Sequence, residues 1–494
     1  MNDDEAVPPQ CAAKALDMEA NQAGRLVRVP GVFLQYDEPH SLRYIFEQAS
    51  IDYSTELVAV DPPYLGVKSI DTWAWYNAGI GPTGPIGWNV VNYGGTLLVS
   101  NGVDFTFSRD PGATVIVDRS AVVIARTFAV QFGRLFAASF ISLGSGQWQS
   151  IGVQWNSSVG DYSDFSGIGS GAELLIDQQT MADRIVALRS IGYDVLGIVM
   201  RKSLWAGYRN NDPFRPADFR PRINGLGAVS EATVVKSPAG ITLLSDEGVV
   251  NYDINNATVI SGDINSELLP LDYSQIDRYR MLYQPIRRRI YLQTPFCCWV
   301  YDFPADPTQR GRWWQRSIIS DNMVAFTDQA TDLRWSQLVG TWDEQALRWS
   351  EFQQTSEDSP SKVSFVSGSK MGQEDPTVLI NFTGATPLMP TYQTGLQAQY
   401  RLSDIVETLE LELEYKASVQ SLVRFTVRDE QGNWSKNISK LLDPTAGALF
   451  TGVFQFVAVG QAVQLQIEIM EGDAEIAAVR QIISDEIPQT RYSL

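Results

Sequence analysis

Residues 132–165 read FGRLFAASFISLGSGQWQSIGVQWNSSVGDYSDF. An apolar run from Leu135 to Phe140 meets a Gly/Ser turn at residues 144–146. A second apolar segment follows and ends on a large aromatic, Trp155, before polar turn residues close the unit. Short apolar segments bounded by Gly, Ser, Asn and Asp, without helical spacing, predict consecutive antiparallel strands. The plan recurs downstream: a strand, a turn, a strand ending in an aromatic, another turn. Repetition over a few tens of residues marks a radial or stacked architecture.

Upstream, residues 96–117 hold three short apolar segments separated by Asn101-Gly102 and Pro111-Gly112. Asn-Gly between apolar runs is a strong hairpin signal. Residues 57–95 are rich in Gly, Pro and aromatics, with Trp73 and Trp75 alternating as on a strand edge. The glycines of residues 79–87 lack the Lys-Ser/Thr that completes a phosphate-binding loop. Pro82 and Pro85 also remove backbone donors, so a structural loop is predicted there. Residues 12–20 suggest one or two helical turns, and residues 24–34 a strand.

Downstream, residues 180–191 are open to two readings: Met181, Ile185 and Leu188 fit a helix face, but residues 184–200 also fit two strands around Gly192, and strands are favoured because the neighbours are strands. SLWAGY at 203–208 again ends a strand in aromatics. The proline- and arginine-rich residues 210–227 predict a loop or crossover. Residues 228–253 hold three apolar strands punctuated at 237–240 and 246–248. Residues 277–318 repeat the plan as YRMLYQP, RRRIYLQT, CCWVYDF and GRWWQRS. Trp335, Trp342 and Trp349 lie seven apart. A coiled-coil seam needs two apolar positions per heptad over several repeats, so these tryptophans are read as filling gaps between packed sheets. Beyond a Pro/Thr/Gly linker, LELELEY at 409–415 alternates strictly, as do VRFTVR at 423–428 and VQLQIEI at 463–469. Such alternation predicts half-buried strands.

At ~40–50 residues per four-stranded blade, residues 96–380 make about six or seven blades. The predicted fold is therefore all-β. It consists of a β-propeller of about six or seven blades over residues 96–384, an N-terminal arm with lead-in strands over 1–95, and a C-terminal β-sandwich-like module over 385–494.

Composition narrows the chemistry. The 494 residues are 44% hydrophobic and include 13 Trp, 21 Phe and 38 Gly, a mix that suits strands and tight turns. The formal net charge of −19 argues against broad electrostatic capture of nucleic acid. An acidic lumen would instead repel phosphate and let a duplex slide. Three cysteines, Cys11, Cys297 and Cys298, make no disulfide framework, which suits a reducing compartment. The acidic, polar N-terminus does not read as a signal peptide, and no apolar run is long enough to predict a membrane-spanning helix.

A single histidine, His40, leaves no zinc-ligand set and no other base for a Ser or Cys nucleophile. It is read as a surface or loop residue. Asp253-Ile254-Asn255 and Asp263-Ile264-Asn265 resemble fragments of calcium loops but are read as turn caps. No catalytic, metal-binding or cofactor-binding set is predicted. The basic residues cluster: Arg278, Arg280, Arg287, Arg288 and Arg289 lie together, with Arg310, Arg312 and Arg316 near them and Arg215, Arg220 and Arg222 upstream. They are open to three readings: strand-face salt bridges or stacking, a subunit interface against an acidic neighbour, and phosphate contact. The first five are the candidate subunit interface.

The order of motifs resembles one viral family. GRLVRVPG, GRLFAAS, VQWNSSVGDYSDF, SLWAGY, ATVVKSPAGITLLSDEGVVNYD, CCWVYDF with GRWW, and DLRWSQLVGTWDEQALRWS are similar to stretches of the tail nozzle, tail hub or packaged-DNA stabilisation (head-completion) proteins of short-tailed bacteriophages. The resemblance covers roughly residues 24–380. It implies a propeller subunit of the virion, made in the host cytoplasm, without enzymatic activity or cofactor. It further implies assembly into a homohexameric ring that closes the DNA exit channel and lets the genome pass on ejection. Portal and adaptor proteins, tail fibres or spikes, and genomic DNA in the lumen would be its partners. The alternatives are a propeller that binds glycans or proteins, in a tail or a cell, and a propeller glycoside hydrolase.

Overall fold

The computed structural model describes residues 12–16, 18–20, 26–28, 31–49, 55–68, 72–83, 87–142, 144–157, 162–176, 183–285, 287–304, 311–326, 362–375, 391–394, 397–398, 406–417, 419–429, 438–445, 448, 450–460, 462–471 and 475–483. The Trp335–Trp342–Trp349 series, Cys11 and Arg310 lie outside them.

The chain forms a seven-bladed β-propeller with a second all-β region. Each blade is four antiparallel strands. The inner strands are Ile45–Ala49, Asn89–Tyr93, Ala125–Gln131, Ile185–Ile191, Val234–Ser237, Arg280–Gln284 and Asn322–Phe326, in blades 1 to 7. Each inner strand contacts the next, and the seventh contacts the first, so the ring is closed. The opening stretch of the sequence analysis supplies the middle of blade 3, as strands Arg134–Ser142 and Gln147–Trp155.

Closure is made by a strand far away in sequence. Blade 7 takes its outermost strand, Gly31–Asp37, from the N-terminal region, paired antiparallel with Lys370–Asp375. Glu38 to Tyr44 then cross to blade 1. No local pattern could reveal this pairing, because it joins segments more than three hundred residues apart.

Seven apolar clusters among the described residues hold the ring, one at each blade junction. Alternation along a strand sends successive side chains to opposite faces. Leu57 and Ala59 therefore pack towards blade 7, whereas Val58 and Val60 pack towards blade 2. Both faces of each blade are buried against its neighbours, at ~1.5–3 kcal/mol for each large aliphatic or aromatic side chain enclosed. Between blades 3 and 4, Phe136, Trp155, Leu196, Ile198 and Met200 fill the gap.

Trp155 needs a glycine beside it. A Cβ at residue 171 would lie 2.6 Å from its Cζ2 atom. Its indole N–H donates to the Gly169 carbonyl at 3.1 Å.

Several sequence expectations change. Blade 1, Ile45–Asn77 in four strands, and the inner strand of blade 2 fall within residues 1–95, so strands of the propeller occupy what was read as arm and lead-in. The residues read as helical turns are instead strands Ala12–Leu16 and Met18–Ala20. Pairing with Thr391–Thr394 and Arg312–Arg316 overrides a weak local preference. The expected crossover at 210–227 is largely a hairpin of Ser203–Asp212 and Arg215–Asn224. Pro216 and Pro221 are accommodated because Arg215–Asn224 is the outermost strand of blade 4, where a missing N–H breaks no further ladder.

The C-terminal region forms two sheets. Val406–Lys416 pairs with Phe450–Gly460 and Glu475–Ile483, and Ser421–Asp429 pairs with Ile438–Leu442 and Ala462–Glu471. The alternation read at 409–415 and 423–428 is visible in burial: Leu413, Tyr415, Val423 and Phe425 are buried, whereas Glu414 and Arg424 are less so. The N-terminal strand Ala12–Leu16 lies between this region and the propeller, pairing with Thr391–Thr394 on one side and with the outermost strand of blade 6 on the other.

Candidate functional site

Inner strands all start on one face of the ring, here the upper face. The connections between blades therefore deliver their last residues to the upper mouth of the central channel. Five arginines stand on the inner strands or just before them: Arg43, Arg126, Arg184, Arg189 and Arg280.

Two of them meet on one aromatic ring. The Arg43 and Arg280 guanidinium groups each lie 5.6 Å from the centre of the Tyr44 ring. Arg43 also donates to Asp277 at 2.6 Å, a contact between blade 1 and the segment entering blade 6. Burial pulls the Arg43 guanidinium down, but its hydrogen bond to Asp277 and nearby charges outweigh that, so its pKa is raised. Burial pushes Arg280 down from its ordinary value, and its Nε–H is enclosed without a hydrogen-bond partner among the described residues. Arg189 is paired with Glu231.

On the opposite side, Arg126 lies 4.5 Å from the centre of the Trp148 ring. Burial, and then the like charge of Arg184, push Arg126 down from its ordinary value. The nearby Asp183 is already engaged. Its Oδ1 accepts from the Arg184 N–H at 2.8 Å and its Oδ2 from the Ser203 hydroxyl at 2.8 Å.

Below the mouth is a cavity of about 490 Å³. Ile45, Phe46, Val90, Leu282, Met323 and Val324 form most of its wall, with Glu47 and Tyr283 as its titratable groups. Burial raises the pKa of both. Glu47 is reached by solvent yet walled by apolar side chains, and that wall disfavours its charged form.

The five arginines read as a candidate subunit interface do not share a surface. Arg280 pairs in register with Gln293, and Arg289 with Gln284, so the two ends of one hairpin separate them. Arg278 ends a short 3₁₀ turn and donates to Gln275 at 3.3 Å, and Arg280 is folded over the channel mouth. Arg289 is at the other end, bound to Asp302 at 2.6 Å and stacked on Trp314. Arg287 is partly buried in the lower turn, and Arg288 is exposed there.

The upstream arginines are also engaged: Arg215 with Glu173 at 2.8 Å, Arg220 with Asp218 at 2.7 Å, and Arg222 with the Tyr208 hydroxyl. Asp253 caps its turn, accepting from Asn255 and Asn256. His40 packs between Tyr64 and Trp75, with ring centres 4.3 and 4.5 Å away, and lies 3.3 Å from Asp61. Among the described residues no group of His, Cys, Asp and Glu could hold a metal ion, and no helix is long and apolar enough to cross a membrane.

Arg126, Arg184, Trp148 and Glu47 were not singled out from sequence. They come from different strands and connections, and no spacing links them.

No protein-family model and no curated protein matches the chain. Among solved structures, an extracellular domain from B. thetaiotaomicron assigned to a one-component system is 10% identical, with a TM-score of 0.42 over 89% of this chain and 59% of that one. A streptogramin B lyase is 6% identical, with a TM-score of 0.38 over 70% of this chain and 97% of that one. An exo-β-1,3-galactanase from Phanerochaete chrysosporium is 8% identical, with a TM-score of 0.26 over 92% of this chain and all, 100%, of that one. The chain spans 59% and 62% of the two B. thetaiotaomicron domains it matches. The likeness is one of propeller fold and carries no functional argument.

Proposed function

We propose that the chain is a structural protein of a bacteriophage tail, a nozzle or hub subunit that forms a ring, retains packaged DNA and lets it pass on ejection. The reading starts from the order of sequence motifs. The observation that supports it best is the double use of the N-terminal region. One of its strands ties the outer edge of blade 6 to the C-terminal sheet, and another closes blade 7. A closed ring leaves only short, protected edges, and blade 6 is coupled to the second region by backbone hydrogen bonds. Such an arrangement suits a wall under load.

The propeller's own channel would not be the DNA path. Arg43, Tyr44 and Arg280 fold over its mouth, and the cavity below is of small-molecule size. DNA would run through the lumen of an assembled ring, sized by copy number rather than by one propeller, with the net charge of −19 opposing adhesion of phosphate. A homohexamer would need heterologous contacts, one patch meeting a different patch on the next copy. Arg287 and Arg288, on the lower turn of blade 6, are the part of the original arginine cluster that remains placed for such a contact. Portal or adaptor proteins and tail fibres or spikes would be the neighbours.

Particles made without this chain test the reading. The expected result is capsids that lose their DNA or leave it open to nuclease. Particles that stay filled and nuclease-resistant would overturn it.

A further inference from the structure

We propose that the upper ends of blades 3 and 4 form a binding site for a single oxyanion group, a phosphate or a carboxylate, held by Arg126 and Arg184 beside the indole of Trp148. This does not rest on the tail reading.

Three observations carry it. The first is charge. Acidic residues outnumber basic ones in this chain, 57 to 38, and Arg43 is paired with Asp277, Arg189 with Glu231 and Arg201 with Asp246, whereas Arg280 is stacked on Tyr44. Arg126 and Arg184 stand at the starts of adjacent inner strands that are bonded together at Thr127 and Leu188, and, among the described residues, neither is in an ion pair. Asp183, the nearest acid in sequence, is engaged by backbone N–H groups and the Ser203 hydroxyl.

The second is a pair of orphaned donors. Among the described residues, the Arg126 Nε–H and the Trp148 indole N–H are both buried and lack a hydrogen-bond partner. They belong to groups stacked 4.5 Å apart. Buried donors are nearly always satisfied, so two together mark a missing acceptor.

The third is access and fit. Arg184 is exposed, whereas Arg126 and Trp148 are partly buried, so the place is open on one side and walled on the other. A guanidinium presents two parallel N–H groups that match two oxygens of a carboxylate or phosphate. One anion between the two arginines would relieve their mutual repulsion. The adjoining strands hold both in place: the Leu188 N–H donates to the Thr127 hydroxyl at 3.0 Å, locking the inner strands of blades 3 and 4 together.

Calorimetric titration of the full chain at low ionic strength, with inorganic phosphate and separately with glucuronate, tests the site. The expected result is saturable binding of one equivalent of at least one probe. Arg126→Gln and Arg184→Gln should each weaken it by roughly tenfold or more, the usual size for a charged hydrogen bond. Preference for phosphate would identify a phosphoryl group as the ligand, and preference for glucuronate a carboxylate. Arg184 is exposed, so Arg184→Gln should melt as the parent does and keeps the test valid if the Arg126 variant fails to fold. No saturable binding of either probe, or binding that Arg184→Gln leaves unchanged, would overturn the proposal.

Discussion

Arg109 of blade 2 reaches into blade 1 and ends 2.8 Å from the Glu56 carboxylate, with its own side chain fully enclosed. Its Nε donates to the Ala113 carbonyl at 2.9 Å, and it also hydrogen-bonds Gln48 of the inner strand of blade 1. Gln48 donates back to the carbonyls of Gly95 and Arg109 at 2.9 and 3.0 Å. Burying a guanidinium is costly, and these partners offset the cost. Arg109→Ala should cost ~3–5 kcal/mol, because it leaves Gln48 and Glu56 without their partner. Glu56→Gln should cost less, ~1–3 kcal/mol, since Glu56 is partly exposed. Urea unfolding of the two variants checks both the sign and the order.

The Trp155–Gly171 contact gives a second prediction. Gly171→Ala would drive a methyl group into the indole, an overpacking penalty of ~1–3 kcal/mol. Gly144→Ala, at a turn with open space, is the control and should leave the melting temperature within about a degree or two, as surface changes of under ~0.5 kcal/mol do.

Tyr252 sets a pH dependence. Its ring is buried, its hydroxyl has no hydrogen-bond partner among the described residues, and burial raises its pKa from 10.0 to about 12. The folded state therefore holds the proton over a range in which the unfolded state releases it. The stability involved is fully present below pH 10 and is lost as pH rises towards 12, a loss of roughly 2–3 kcal/mol for a shift of this size. Tyr252→Phe should remove that part of the alkaline decline and leave stability near neutral pH unchanged or higher. An alkaline decline identical in the variant would contradict this.

The closing strand of blade 7 gives a fourth. Deleting residues 1–37 removes Gly31–Asp37 and exposes the edge of Lys370–Asp375. The truncated chain should be cut by protease much faster than the parent and tend to associate through the open edge. Equal protease resistance would mean that closure does not depend on this strand.

What the sequence revealed follows from the range of the interactions. Blades 3, 5 and 6 were legible because their strands are consecutive and their turns carry Gly, Ser, Asn or Asp, or in blade 6 Pro285 and Pro295. Blade 1 was obscured by proline and glycine: Pro62 and Pro63 sit in the turn between its second and third strands, and Gly66 lies in the third strand beneath Trp75. Residues 210–227 were obscured by prolines that an outermost strand accepts. The closure by Gly31–Asp37 and the cluster of Arg126, Arg184 and Trp148 were invisible, since each depends on segments brought together only by the ring. The arginines that stood out as a run, Arg278 to Arg289, were separated by the hairpin that contains them.

Antibody labelling of phage particles from a lysate of the source, viewed by negative-stain electron microscopy, addresses the tail assignment most directly. The account predicts label at the base of a short tail, on the axis where DNA leaves. Unlabelled particles, with the protein free in the soluble fraction, would contradict it.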